Sequence, residues 1–204
     1  MQPFTVVEGV AVPLLEDDVN TDQIAPLGSS AWMNPDYAKM LFARRRKNAD
    51  GTYETEFVFN RPQFHAPEIL VTGSNFGCGS SREAAVWCLQ AVGIRCIVAR
   101  SFADLFRENC LQNGIAPIAL KPDDAQAFET LVVAVDGRSK FCVDLVSQII
   151  KSADGAAFKF ELPLADQTRL LEGLDDIGLT MKHASDISAY EERMLLQHPW
   201  RSKP

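Results

Sequence analysis

Gly73-Ser74-Asn75-Phe76-Gly77-Cys78-Gly79-Ser80-Ser81-Arg82-Glu83-Ala84-Ala85 is the stretch around which this 204-residue chain is organised. It follows an apolar run, Ile69-Leu70-Val71, that reads as a buried strand. It precedes Ala85, Cys88, Leu89 and Val92, which fall at helical spacing. A glycine-punctuated turn thus carries a strand into a helix N-terminus, with Ser80 and Ser81 as the expected N-caps. Free N–H groups at such a terminus favour an anion, and Arg82 adds a planar fork of donors. The stretch is predicted to bind a carboxylate, with Ser80 acting on it chemically.

Downstream the pattern alternates. A helix over Arg82–Val92 leads to a strand at Arg95–Ala99. A helix over Ser101–Asn113 follows, capped by Ser101 and stopped by Gly114, then a strand at Ile115–Leu120 and a short helix over Asp123–Thr130. Such β-α-β-α-β order predicts parallel strands. Upstream, Thr5–Leu15 reads as one valine-rich strand, followed by an acidic segment, Glu16–Ile24, whose Asp, Asn and Thr side chains suit tight turns. The pattern weakens from Ala25 to Asn60. A short helix is expected at Asp36–Phe42, a basic run at Arg44-Arg45-Arg46-Lys47 and a short strand at Phe57-Val58-Phe59.

The later chain alternates at Phe141–Leu145, Gln148–Ile150 and Ala157–Leu162, with Asp154-Gly155 as a hairpin turn. Leu164–Glu172 reads as a helix ended by Gly173, and Ser185–Leu195 has helical spacing. No linker divides the chain, so residues 1–204 are expected to form one α/β domain: a mixed, partly parallel sheet flanked by helices, with a C-terminal hairpin.

Composition narrows the function. A net charge of −7 argues against broad nucleic-acid or anionic-membrane binding, and no apolar run is long enough to span a bilayer. Met1-Gln2-Pro3-Phe4 lacks a basic region followed by an apolar one, so no signal peptide is expected and the cytoplasm is the default address. The five cysteines are unpaired in spacing and the three histidines lie far apart, so no metal or iron–sulfur ligand set is expected in this chain. The glycine turn lacks the Gly-Lys-Ser/Thr of a phosphate loop, the spacing of a dinucleotide fingerprint and the GxSxG of a serine hydrolase.

Asn75-Phe76-Gly77-Cys78-Gly79-Ser80-Ser81-Arg82-Glu83 resembles the signature of the aconitase superfamily's swivelling domain, in particular that of the 3-isopropylmalate dehydratase small-subunit family. Three further segments agree in order: Asn20-Thr21-Asp22-Gln23-Ile24; Ser101–Phe106 with Asn109 and Asn113-Gly114; and Gly173–Thr180. The resemblance implies a β/β/α swivelling domain without a cofactor of its own. It also implies a separate large subunit holding a [4Fe-4S] cluster that acts as a Lewis acid. Together the two would dehydrate 2-isopropylmalate and rehydrate the product to 3-isopropylmalate, in leucine biosynthesis. Alternatives are a related hydratase acting on citraconate or dimethylmaleate-type acids, or a non-catalytic paralogue.

By the same resemblance Ser80 is the base, Asp22 an orienting acid, and Ser81 and Arg82 the carboxylate grip, with Asn75 and Gly79 beside the substrate. The loop from Ala25 to Arg46 would set the substrate class, with Arg44, Arg45 or Arg61 as candidate sources of charge. Two departures stand out. Ala84 replaces a histidine of the family. The position at which aconitase carries a substrate-binding arginine falls near Asn34, which argues against a third carboxylate on the substrate.

Overall fold

Two kinds of hydrophobic pattern give two kinds of sheet. In the computed structural model, which describes residues 2–26, 35–198 and 200, the short apolar runs pair in parallel. Strands β2 (Ala11–Leu14), β3 (Ile69–Thr72), β4 (Cys96–Ala99) and β5 (Ala116–Ala119) lie side by side in chain order. The alternating segments form an antiparallel sheet, ordered β1 (Val6–Gly9), β6 (Phe141–Asp144), β7 (Ile149–Ser152) and β8 (Ala157–Lys159). β7 and β8 are the expected hairpin, with Ile150 opposite Phe158.

The single strand expected over Thr5–Leu15 is two strands, one in each sheet. At the junction the side chain of Glu68 accepts a hydrogen bond from the Val10 N–H at 3.0 Å. A Cβ on Gly9 would lie 2.0 Å from that carboxylate and 2.5 Å from the Glu68 Cβ, so a larger residue here would displace Glu68.

The parallel sheet separates two cores. Ile69, Val71, Cys96 and Val98 face a core shared with the antiparallel sheet and with Phe128 of helix α5 (Pro122–Val135). Leu70 and Ile97, from the opposite face, meet α3 (Ala84–Ala91) and α4 (Asp104–Asn113) in a second core rich in phenylalanine. Full burial on both faces is the state that continuous apolar strands require.

Short helices α1 (Thr21–Ile24) and α2 (Tyr37–Met40) precede α3, and α6 (Leu164–Glu172), α7 (Asp176–Met181) and α8 (Ala184–Gln197) close the chain. Helix α5 is longer than the expected Asp123–Thr130 because Leu131, Val132 and Val135 continue its packing face. Instead of the short strand expected at Phe57-Val58-Phe59, Val58–Asn60 forms a 3₁₀ turn, and Phe42 meets the Phe57 ring edge to face and the Phe59 ring at a tilt. The middle of the Ala25–Arg46 loop, including Asn34, lies outside the described residues.

Candidate active site

Because β2, β3 and β4 run parallel, the segments that leave their C-terminal ends emerge at one edge of the sheet, where open α/β sheets bind ligands. The backbone stitches these segments together. Gly73 N–H donates to Glu16 O at 3.2 Å, Asp18 N–H to Ser74 O at 2.9 Å, Gly77 N–H to Val19 O at 2.8 Å and Thr21 N–H to Cys78 O at 2.9 Å. From β4, Ser101 O accepts the Phe76 N–H at 3.1 Å, and Phe76 O accepts the Ala103 N–H at 3.0 Å.

Side chains complete the turn. Asp17 accepts the Ser74 N–H at 2.6 Å, and Asn75 donates its amide to Asp18 at 2.8 Å. Asn75 holds a φ of 54°, a left-handed conformation that asparagine tolerates better than most residues. Gly77 has a φ of 79°, and a Cβ there would lie 2.0 Å from the Phe106 ring. The aromatic floor of the turn, Phe76 against Phe106 edge to face at 5.3 Å, therefore requires glycine at this point.

Ser101 does not cap α4, which begins at Asp104. Its hydroxyl accepts the Asn75 N–H at 2.8 Å instead, so a residue read as a helix cap is a strut of the turn. Ser80 and Ser81 likewise do not cap a helix. α3 starts at Ala84, its N-terminal flank is Glu83, and no side chain caps it. Among the described residues, Ser80 Oγ has Thr21 Oγ1 as its partner at 2.9 Å. The same threonine hydroxyl accepts the Ser80 N–H at 3.2 Å and lies 3.2 Å from Ser80 O, to which it donates.

Thr21 is buried, whereas Ser80 and Ser81 are exposed. Its placement follows from a reciprocal cap: the Asn20 side chain accepts from Gln23 N–H, and the Gln23 side chain accepts from Asn20 N–H. The Asn20-x-x-Gln23 pattern was the available signal for this residue, since it puts Thr21 at the first position of a helical turn.

Arg82 pairs with Asp22, so consecutive residues of α1 hold both ends of the Ser80–Arg82 segment. Arg82 is half-buried, and Asp22 is exposed. The Ser81 carbonyl accepts a 3.4 Å bond from Asn109, one of the sequence-matched asparagines. Asn113, the other, donates to Glu83 at 2.8 Å and accepts from the Trp87 indole at 3.1 Å, fixing the start of α3 against the end of α4. Ala84 is half-buried against the second core. Gly79 lies exposed, with a φ of 97°.

The loop arginines divide. Arg45 makes a bidentate bridge to Glu16, at 2.9 and 2.6 Å, and covers the Phe57 ring. Arg61 bonds to the Glu56 carbonyl at 3.0 Å. Both line a shallow groove with Pro13, Leu15 and Val133 that does not include Ser80 or Arg82. Arg44 is exposed and makes no ion pair among the described residues.

The thiols do not fit an iron–sulfur cluster. Cys88, Cys96 and Cys110 are buried in apolar surroundings; burial pushes the Cys88 thiol up to about 12 and raises the other two as well, so all three keep their protons. Cys78 and Cys142 are half-buried, and Cys78 Sγ donates to the Asp18 carbonyl at 3.3 Å. Among the described residues no three His, Cys, Asp or Glu side chains gather as metal ligands.

Comparison with known proteins places the whole chain among known relatives. The aconitase C-terminal domain family matches residues 1–123, and the family of the C-terminal domain of the 3-isopropylmalate dehydratase small subunit matches residues 176–201. The 3-isopropylmalate dehydratase small subunit of Methylobacterium radiotolerans is 42% identical over 202 residues, covering 98% of this chain and 100% of that one. The same subunit of Mesorhizobium japonicum is 41% identical over 211 residues, with the same coverage. The crystal structure of 3-isopropylmalate dehydratase from Methanocaldococcus jannaschii superposes with a TM-score of 0.62 at 25% identity, covering 91% of this chain and 99% of that one.

Proposed function

The chain belongs to the 3-isopropylmalate dehydratase small-subunit family of the aconitase superfamily, and on that premise we propose that it is one half of a two-subunit hydro-lyase. The complex isomerises 2-isopropylmalate to 3-isopropylmalate by dehydration and rehydration, in leucine biosynthesis, and acts in the cytoplasm. Residues 1–204 form one swivelling domain in this reading. The observation that carries the proposal is the full-length similarity to small subunits, joined to an exposed serine hydroxyl held at the ends of the parallel strands.

Ser80 Oγ, as the alkoxide, takes the proton from the substrate carbon beside a carboxylate. The electron pair of that C–H bond becomes the double bond as the hydroxyl leaves the neighbouring carbon with its bonding pair, for which the partner's cluster would supply the Lewis acid. In the reverse sense Ser80 returns the proton. A base must stand within hydrogen-bond reach of its proton, and exposure at the strand ends leaves Ser80 open to a substrate. The N–H groups of Ser81 and Arg82 make no hydrogen bond among the described residues and can bind a carboxylate oxygen.

Arg82 supplies the bidentate grip once the carboxylate competes with Asp22, which then orients the exchange. Ser81 adds a hydroxyl, while Gly79 and Asn75 shape the wall beside the substrate. Of the loop arginines, Arg44 is the one without an ion pair among the described residues, since Arg45 pairs with Glu16 and Arg61 with Glu56.

Since the thiols of this chain do not fit a cluster, the [4Fe-4S] group is assigned to the partner large subunit, and activity requires that partner. The test mixes this chain with cluster-loaded large subunit and compares turnover of 2-isopropylmalate, citraconate and citrate. Preference for 2-isopropylmalate, with no turnover by either chain alone, is expected. Preference for citraconate or citrate, or turnover by this chain alone, contradicts the assignment.

A further inference from the structure

We propose that Thr21 is a positioning residue for Ser80, whose hydroxyl switches from accepting to donating when Ser80 loses its proton. The inference rests on the reading of Ser80 as the base. It starts from a count of protons. Thr21 Oγ1 has one hydrogen and three polar neighbours: Ser80 N at 3.2 Å, Ser80 O at 3.2 Å and Ser80 Oγ at 2.9 Å.

The Ser80 N–H fixes one acceptor bond on Thr21 in every state. With Ser80 protonated, its O–H donates to Thr21 Oγ1, and the threonine proton goes to the Ser80 carbonyl. Both lone pairs and the single donor of Thr21 are then in use. With Ser80 deprotonated, the threonine proton rotates from the carbonyl to the alkoxide, a charge-assisted bond that strengthens as the charge forms. Only the hydroxyl rotor moves, with no change in heavy-atom positions. Thr21 is 1% exposed, so water does not compete for its proton.

A helix N-terminus could stabilise the Ser80 anion, but α3 begins four residues later at Ala84. The Arg82 guanidinium could do so too, but it is paired with Asp22. That leaves the threonine as the described group in contact with the reacting oxygen. The charged and titratable groups around it are all engaged: Asp22 with Arg82, Asp18 with the Asn75 amide, Glu83 with Asn113, and the Cys78 thiol with the Asp18 carbonyl. Thr21→Ser, which keeps a hydroxyl beside these same groups, is the control that ties a change in the pH profile to Ser80.

The experiment compares Thr21→Val, Thr21→Ser and Ser80→Ala, each reconstituted with the large subunit, over a range of pH. Thr21→Val keeps the shape and removes the hydroxyl. Its kcat should fall about 10- to 100-fold near neutral pH, the size of one hydrogen bond to a charged group. KM should change by less than about twofold, since the carboxylate grip is untouched. The limb of the pH profile that reports base deprotonation should move to higher pH, so that the loss shrinks as pH rises. Thr21→Ser, which restores the donor, should stay within about threefold of wild type.

A Thr21→Val enzyme with wild-type kcat and an unmoved limb overturns the proposal, as does a Thr21→Ser enzyme as impaired as Thr21→Val. Should Thr21→Val fail to fold, Thr21→Ala, which also removes the hydroxyl and adds no titratable group, carries the same expectations. Ser80→Ala separates the two levels of the argument. If it is active, the reading of Ser80 as base has failed; if it is inactive while Thr21→Val is normal, only the role of Thr21 has.

Discussion

In the glycine turn, Ser74, Asn75, Phe76 and Gly77 each donate a backbone N–H to a neighbouring segment, and the Phe76 ring is sealed against Phe106. At the other end of the chain, α7 and α8 bury no residue, and Ile177, Met181, Tyr190 and Leu196 stand exposed at 73%, 61%, 53% and 84%. Ionic and capping contacts anchor the start of this tail: Asp175 caps Gly178 N–H at 2.7 Å, and Asp176 meets Arg169 at 2.6 Å. The turn is thus held by the three parallel strands that feed it, whereas the tail is fixed where it leaves α6. Even so, a domain family specific to these small subunits matches residues 176–201, so the sequence of the tail is a family feature without being a core.

The contrast can be broken most directly at Gly77. Gly77→Ala adds a methyl group against the Phe106 ring at a positive φ, and should cost roughly 2–4 kcal/mol in urea unfolding. A loss under about 0.5 kcal/mol would show that the turn yields easily. Arg82→Lys should leave stability unchanged and raise KM about tenfold in the reconstituted complex, because a point charge cannot replace the fork. Unchanged kinetics would remove Arg82 from the grip.

In the tail, Tyr190→Ser and Leu196→Ser should each shift unfolding free energy by no more than about 0.5 kcal/mol, as at other exposed positions. A larger loss would mean that α8 packs on the protein. The smallest effect concerns the thiols. At pH 8, Cys78 and Cys142 should react with a disulfide reagent in the native protein, whereas Cys88, Cys96 and Cys110 should react only after unfolding. The sign follows from the direction of the shifts: burial raises these thiols, so the reactive thiolate is scarce at that pH. Fast modification of all five would contradict the packing of the second core and of β4.

Much of the fold was legible because it rests on local periodicity. Ile69–Val71, Arg95–Ala99 and Ile115–Leu120 read as strands, and glycine ends α4 at Gly114 and α6 at Gly173, as expected. What the sequence hid depends on partners far along the chain. The split of Thr5–Leu15 is set by Glu68, 58 residues from Val10. The Ser80 hydroxyl, locally a good cap, is claimed by Thr21, 59 residues before it, and Ser101 by Asn75, 26 residues before it. Phe57-Val58-Phe59 has strand composition, yet packing against Phe42 curls it. In each case a tertiary contact outweighs a local preference.

The central claim is that Ser80 moves the proton. Its most direct measurement is deuterium exchange into 2-isopropylmalate from heavy water, together with turnover, for Ser80→Ala reconstituted with the cluster-loaded large subunit. The account predicts an unchanged melting temperature and a fall in both rates of about 10²- to 10⁴-fold, the range of general acid–base groups. Exchange and turnover near the wild-type rates would contradict it.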